Sequence, residues 1–243
     1  MGELRKALQQ AAEDRPVDGV PSFRVSGDRS AQEAQPDSDP VSSFEGEVTD
    51  RERGLGPDHP DTLASRNNLG GALQQAGHPD RAMALFQQNL AVSERVLGPD
   101  HPAALTAYNN LAGAYEASGD PARAIPLYEY ALAGRERVLG RDHLLTLRCR
   151  DNLAQAHEQT GNPARAIPLH EQTLTDRQRA LGPDHPDTLL SHGNLAHAHH
   201  QAGNREQSVA LLVRTLADSE LHLGPDHPAT RHVRELLTHV QSG

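Results

Sequence analysis

Leu97-Gly98-Pro99-Asp100-His101-Pro102, followed at once by Ala103-Ala104-Leu105-Thr106-Ala107-Tyr108-Asn109-Asn110-Leu111-Ala112, is the stretch that decides the fold. A glycine and two prolines in its first six residues prevent a helix from running through. Beyond them Leu105, Ala107, Leu111, Ala112 and Tyr115 recur at helical spacing on one side. The helix they imply, helix A, spans Ala103 to Ser118 and stops at Gly119, the residue type that most easily takes a left-handed cap. Asp120-Pro121 then opens helix B, with a capping side chain and a proline at the first helical position. Ala124, Leu127, Tyr128 and Leu132 carry that helix to about Val138.

The same unit returns along the chain. Leu-Gly stands at Leu55, Leu97, Leu139, Leu181 and Leu223, each 42 residues after the last (97 − 55 = 42). This gives repeats at 55–96, 97–138, 139–180 and 181–222, and a C-terminal capping helix within 223–243. Gly77, Gly161 and Gly203 stand where Gly119 does, and Asn162-Pro163 stands where Asp120-Pro121 does. The third breaker, Leu139-Gly140-Arg141-Asp142-His143-Leu144, has lost both prolines, so a less rigid linker is expected there. Pro126 and Pro168 fall inside helix B, where each removes a backbone donor and is expected to bend the helix.

Packing can be read in the same register. Small residues recur at Gly70, Ala112, Ala154 and Ala196 in helix A and at Ala82, Ala124, Ala166 and Ser208 in helix B. Large ones recur beside them at Leu69, Leu111, Leu153 and Leu195, at Leu85, Leu127, Leu169 and Leu211, and at Leu90, Leu132, Leu174 and Leu216. Knobs and holes repeated this way mean that no unit buries its apolar side alone.

Composition agrees. Hydrophobic residues make up only 36% of 243, low for one compact core, and with aromatics at 3% and no Trp the interior must be Ala and Leu, as in packed helices. Acidic residues outnumber basic ones 33 to 23, and no helix face concentrates Arg, which argues against nucleic acid and anionic membranes as partners. The segment from Met1 to Asp14 has no continuous apolar run of signal or membrane-span length, so a cytoplasmic protein is expected. Lys6 as the only lysine, with abundant Ala, suggests a GC-rich bacterial gene.

At the residues Leu-Gly-Pro-Asp-His-Pro and Asn-Asn-Leu-Ala the chain resembles the tetratricopeptide repeat, and more closely its 42-residue kinesin-light-chain variety, over about Leu55 to Leu223. The resemblance implies an all-α, right-handed superhelical solenoid of antiparallel helix pairs, non-catalytic and without cofactors, binding a protein or peptide partner in a concave groove lined by the A helices. Similar arrays stand behind NTPase domains in large bacterial signalling proteins, although no Gly-x-x-x-x-Gly-Lys phosphate loop occurs here. A regulatory arm of such a protein and a weakly self-associating structural module are the alternatives.

Toward the N-terminus, residues 43–54 repeat helix B, since Phe44, Val48, Glu52 and Arg53 precede Phe86, Leu90, Glu94 and Arg95 by 42 residues. Residues 1–42 are expected to hold a short helix over Glu3–Glu13 and a disordered, proline-rich linker over 14–42. In the last helix Leu236 takes the place of a repeated Asn, and it either turns inward or leaves an apolar spot for self-association.

That repeated residue is Asn68, Asn110, Asn152 and Asn194, preceded by Asn67, Asn109, Asp151 and Gly193. The resemblance implies a ladder of amides that meets the main chain of an extended peptide, since an amide offers both donor and acceptor. A purely structural role in setting the repeat register is the other reading. The flanking groove positions vary: Ala64 and Gly71, Thr106 and Gly113, Arg148 and Gln155, Leu190 and His197, and further along Gln74, Glu116, Glu158 and His200. Glu116, Asp151 and Glu158, facing inward, would favour a basic partner. The basic groove of kinesin light chains is not repeated here.

Fifteen histidines raise the question of metal, most of all His192, His197, His199 and His200. None of these pairs has the i, i+4 spacing of a helical zinc site, so packing is expected, and His59, His101, His143, His185 and His227 belong to the breaker as helix caps. Cys149, the only cysteine, stands in the column of Ser65, Ala107 and Ser191 and reads as a buried inert thiol. Glu94, Glu136 and Glu220 read as solvated charges on helix B.

Overall fold

A computed structural model describes residues 40–242, all of whose regular structure is helical. The expected helix over Glu3–Glu13 and most of the linker lie outside the described residues. Ten helices follow in order: α1 (Pro40–Leu55), α2 (Pro60–Gln75), α3 (Pro79–Leu97), α4 (Pro102–Ala117), α5 (Pro121–Val138), α6 (Leu144–Gln159), α7 (Pro163–Leu181), α8 (Pro186–Gln201), α9 (Arg205–His222) and α10 (Pro228–Ser242). The first includes Pro40, Val41 and Ser42, which the sequence places in the linker, and it buries Val41 against its neighbour. The helices form two compact units that divide between Ser118 and Gly119.

In the first unit α1 packs on α2, α2 on α3 and α3 on α4, and the two A helices α2 and α4 also touch. In the second unit each helix from α5 to α10 packs on the next, and α8 also meets α10. Leu63, Leu105, Leu147 and Leu189 are fully buried at one site of four successive A helices. Phe86, Tyr128, His170 and Leu212, one residue beyond the repeated helix-B leucines, are among the largest fully buried side chains. Leu85, Leu127, Leu169 and Leu211 remain half-buried.

The breaker builds the same turn five times. His59, His101, His143, His185 and His227 each accept on Nδ1 the backbone N–H two residues ahead, at 3.1 to 3.2 Å. This satisfies one of the orphan donors of the helix N-terminus and requires a neutral ring nitrogen there. The Thr62, Thr146 and Thr188 hydroxyls donate to the carbonyls of Gly56, Gly140 and Gly182 at 2.8 Å, tying the breaker to the first turn of helix A. The third breaker therefore keeps its geometry without the prolines: His143 has φ −67° and ψ 137°, as its equivalents do. Between helices A and B, Gly119 takes φ +82°. The Asp120 carboxylate accepts from the Arg123 N–H at 3.3 Å, whereas Asn162 makes no such cap and turns its amide to Thr160 instead.

Consecutive repeats are joined by a polar link that always spans fourteen residues. Glu52 accepts from Arg66, Glu94 from Tyr108, Glu136 from Arg150 and Glu220 from Arg234, while Gln178 meets His192. Glu94, Glu136 and Glu220 are thus tied to the following helix A, which corrects their reading as ordinary solvated charges. A second link closes the first and third repeats on themselves, with Arg95 on Asp58 and Arg179 on Asp142.

The closest helix contact is at Gly70, where an added Cβ would stand 2.3 Å from Cε1 and 2.5 Å from Cζ of the buried Phe86 ring. Gly70→Ala is expected to destabilise the chain by roughly 1–3 kcal/mol, because the ring has no room to retreat. Phe86→Leu in the same chain should recover part of the loss, as read by urea unfolding; an additive double variant would show that the two sites are not coupled.

Candidate functional site: the A-helix amides and a buried ionic core

Asn68, Asn110, Asn152 and Asn194 are each half-buried, on helix faces running through Ala64 and Asn68 in α2, Thr106, Asn110 and Gly113 in α4, Arg148, Asn152 and Gln155 in α6, and Leu190, Asn194 and His197 in α8. All of these positions are half-exposed or exposed, whereas Gly71 is buried. Each pair of amides lies within one unit: Asn68 and Asn110 in the first, Asn152 and Asn194 in the second.

The preceding column behaves differently. Asn67 is buried, and its Oδ1 accepts at 2.9 Å from Nδ2 of Asn89, which also donates to the Leu63 carbonyl. This amide pair joins helix A to helix B inside the repeat. Asn109 is half-buried, as is Glu116. In the fourth repeat Gly193 gives the room that Leu236 uses, whose Cδ1 lies 3.3 Å from where a Cβ would be. Leu236 therefore turns inward onto the cluster of Ala196, Leu212, Val233 and Val240.

Asp151 is buried in an ionic core that sequence reasoning missed. His170, fully buried, lies with Nε2 3.1 Å from Glu158 Oε1 and Nδ1 3.6 Å from Asp151 Oδ1. Asp151 also receives the Arg177 guanidinium at 2.7 Å, and Arg177 donates to Ser191 at 2.5 Å. Two carboxylates and one guanidinium leave a buried negative charge unless His170 is protonated. Burial pulls the His170 pKa down, but the hydrogen bonds and charges of Asp151 and Glu158 outweigh it and raise it to about 9. The acidity expected of Asp151 and Glu158 in a groove is compensated from within the repeat. The signal was present in the sequence: in the 42-residue register His170 stands in the column of Phe86, Tyr128 and Leu212.

Beside this cluster Arg150, with no exposed surface, donates to Asp176 at 2.9 Å and to Glu136 at 2.8 Å. Asp176 in turn receives Arg179 at 2.8 Å. Cys149 is fully buried, with Sγ 3.6 Å from the Tyr128 carbonyl, and burial pushes its pKa up to about 11, so it is inert as a nucleophile at neutral pH.

The C-terminal histidines are accounted for one at a time. His192 meets Gln178, His197 meets Gln201 at 2.8 Å, His199 meets Asn204 at 3.3 Å, and His200 stands edge-on to His239. Among the described residues no group of three or more His, Cys, Asp or Glu side chains is placed to hold a metal ion. No helix there is long and apolar enough to cross a membrane.

The model of the tetratricopeptide repeat matches four consecutive segments, 62–103, 104–144, 146–187 and 188–229. The chain belongs to the tetratricopeptide repeat family. Among solved structures it is similar to the nearly identical repeats of a kinesin light chain from Podosopora anserina, at 29% identity over 76% of this chain and 87% of that one, with a TM-score of 0.69. It is also similar in fold to BtubC of P. vanneervenii, at 21% identity over 84% of this chain and 82% of that one, with a TM-score of 0.70. Comparison with curated proteins gives no match. Tetratricopeptide helix pairs are protein-interaction scaffolds, and the fold is in general non-catalytic.

Two outcomes follow from the ionic core. Arg150→Ala leaves the buried Asp176 carboxylate with the exposed Arg179 alone and removes a buried guanidinium from Glu136, and it is expected to cost somewhat less than the roughly 3–5 kcal/mol of a wholly unpaired buried charge in urea unfolding. His170 binds its proton more tightly in the folded chain, so its stabilisation is complete below the ordinary imidazole pKa of 6.5 and is lost as pH rises through about 9. Burial lowers the pKa of His101, His157, His192 and His197, so these rings add stability as pH rises through 6.5, an effect that is over about one unit higher. Unfolding free energy should therefore fall from about one unit above 6.5 to about 9 in the natural chain and stay flatter over that range in His170→Gln.

Proposed function

We propose that the partly exposed faces of the A helices bind extended segments of a partner protein, with Asn68 and Asn110 within the one unit and Asn152 and Asn194 within the other each reading a stretch of main chain. The observation that carries this is the contrast between the two amide columns. Asn67 is buried against Asn89 inside the repeat, and the ladder asparagines are half-buried on a line of half-exposed or exposed positions. An amide there can donate to a peptide carbonyl and accept from a peptide N–H whatever the side chains are.

Selectivity then comes from the variable neighbours. In the second unit these are Arg148, Gln155 and His197 around Asn152 and Asn194, while Asp151 and Glu158 are compensated by Arg177 and His170. In the first unit the half-buried Glu116 favours a basic residue of the ligand. The match to kinesin-light-chain repeats supports the reading at the level of the scaffold. A cytoplasmic setting suits a chain whose single cysteine is buried.

Each amide contributes on the order of 1 kcal/mol net, so the pair in one unit accounts for roughly tenfold or more in affinity. Peptides selected on the full chain from a random display library should bind the natural protein, and Asn152→Ala with Asn194→Ala, or Asn68→Ala with Asn110→Ala, should weaken them by that factor at unchanged melting temperature. Loss of fold in these variants, or peptides indifferent to both pairs, would return the asparagines to a purely structural role.

A further inference from the structure

The exposed line of helix B changes character in the fourth repeat. It reads Ala84, Gln87, Ala91, Arg95 in the first, Pro126, Glu129, Ala133, Arg137 in the second and Pro168, Glu171, Thr175, Arg179 in the third. In α9 the same positions are Ala210, Val213, Ala217 and Leu221, with every polar side chain gone. Val213 is 50% exposed and Leu221 77% exposed, the most of any large hydrophobic side chain among the described residues. At the place of Leu221, Arg95 and Arg179 close on the aspartates of their breakers. In the fourth repeat that aspartate, Asp184, is held by His222 at 3.4 Å, so the change to leucine leaves no breaker unpaired.

We propose that this face of α9 is a self-association surface on which a second copy of the chain lays its own α9 antiparallel. This line shares no residue with the amide faces on the A helices. What selects a second copy is the self-complementarity of the line. Val213 and Leu221 are each four residues from Ala217, so a two-fold axis at Ala217 brings Val213 level with Leu221 of the second copy, twice. Ala217 at the crossing permits close approach of the two axes. Arg214 and Asp218 flank the line on one edge, where they face each other within α9 at 3.9 Å with Arg214 largely exposed. Around the same axis Arg214 comes within one helical turn of Asp218 of the second copy, so the edge pairs opposite charges rather than like ones. Glu220 remains engaged by Arg234 of its own chain.

One helix pair buries well under the roughly 800 Å² per partner of a standard interface, so the dimer is weak, with a Kd of about 0.1 mM. Sedimentation velocity of the full chain from about 10 μM to about 1 mM should show a reversible monomer–dimer equilibrium. Leu221→Arg, which restores the residue type of the other repeats, should raise the dissociation constant at least tenfold with unchanged circular dichroism. Arg214→Asp should also weaken the dimer, and Arg214→Asp combined with Asp218→Arg should recover it, since the swap restores opposite charges across the axis. A monomer at every concentration, a dimer indifferent to Leu221→Arg, or a double variant no better than Arg214→Asp alone would each overturn the proposal.

Discussion

Within each unit a helix pair has an apolar side that its own two helices cannot cover, and the helix packed next to it covers that side. Leu63, Leu105, Leu147 and Leu189, all fully buried, lie on helices packed against the helices that neighbour them in sequence within each unit. Burial of a leucine-sized side chain contributes on the order of 1.5–3 kcal/mol, but a lone repeat of small residues has too few of these to offset the entropy of ordering some forty residues. The alternation of large and small side chains is therefore a condition for folding. Gly70 shows how tight the condition is, since the Phe86 ring occupies the space a methyl group would need.

Polar links act on top of this packing. The link fourteen residues long from helix B to the next helix A keeps its place while its chemistry varies: carboxylate to guanidinium, carboxylate to phenol, amide to imidazole. Distance is conserved because the breaker has the same length and the same His-capped turn in each repeat. The third repeat carries the idea into its interior, where His170 replaces an aromatic or leucine core residue and two carboxylates arrive to hold it. A charge so buried is stable only with its partners in place, which makes this repeat more specific in structure than its neighbours.

The two surfaces with a functional reading come from opposite uses of repetition. On the A helices one residue type recurs, and recurrence of an amide suits a main chain, which is itself periodic. On α9 the pattern is broken, and Val213 and Leu221 stand where the other repeats place charged or amide side chains. A broken pattern marks a surface used once, not a surface used along the whole array.

The order of elements, the helix boundaries to within a residue or two except for the earlier start of α1 at Pro40, the histidine caps and the columns of small and large residues were legible in the sequence. They are local or periodic properties, fixed by glycine, proline and the spacing of apolar side chains. What only the tertiary structure decided is which polar side chains are spent on the fold. Asn67 and Asn68 are adjacent and chemically identical, yet the first is locked to Asn89 while the second reaches the partly exposed face, because successive residues on a helix point about 100° apart. Glu158 and Asp151 look like groove acids until His170 and Arg177 are brought beside them from the next helix. Such pairings join residues 12 to 26 positions apart, and the angle at which one helix crosses another decides them.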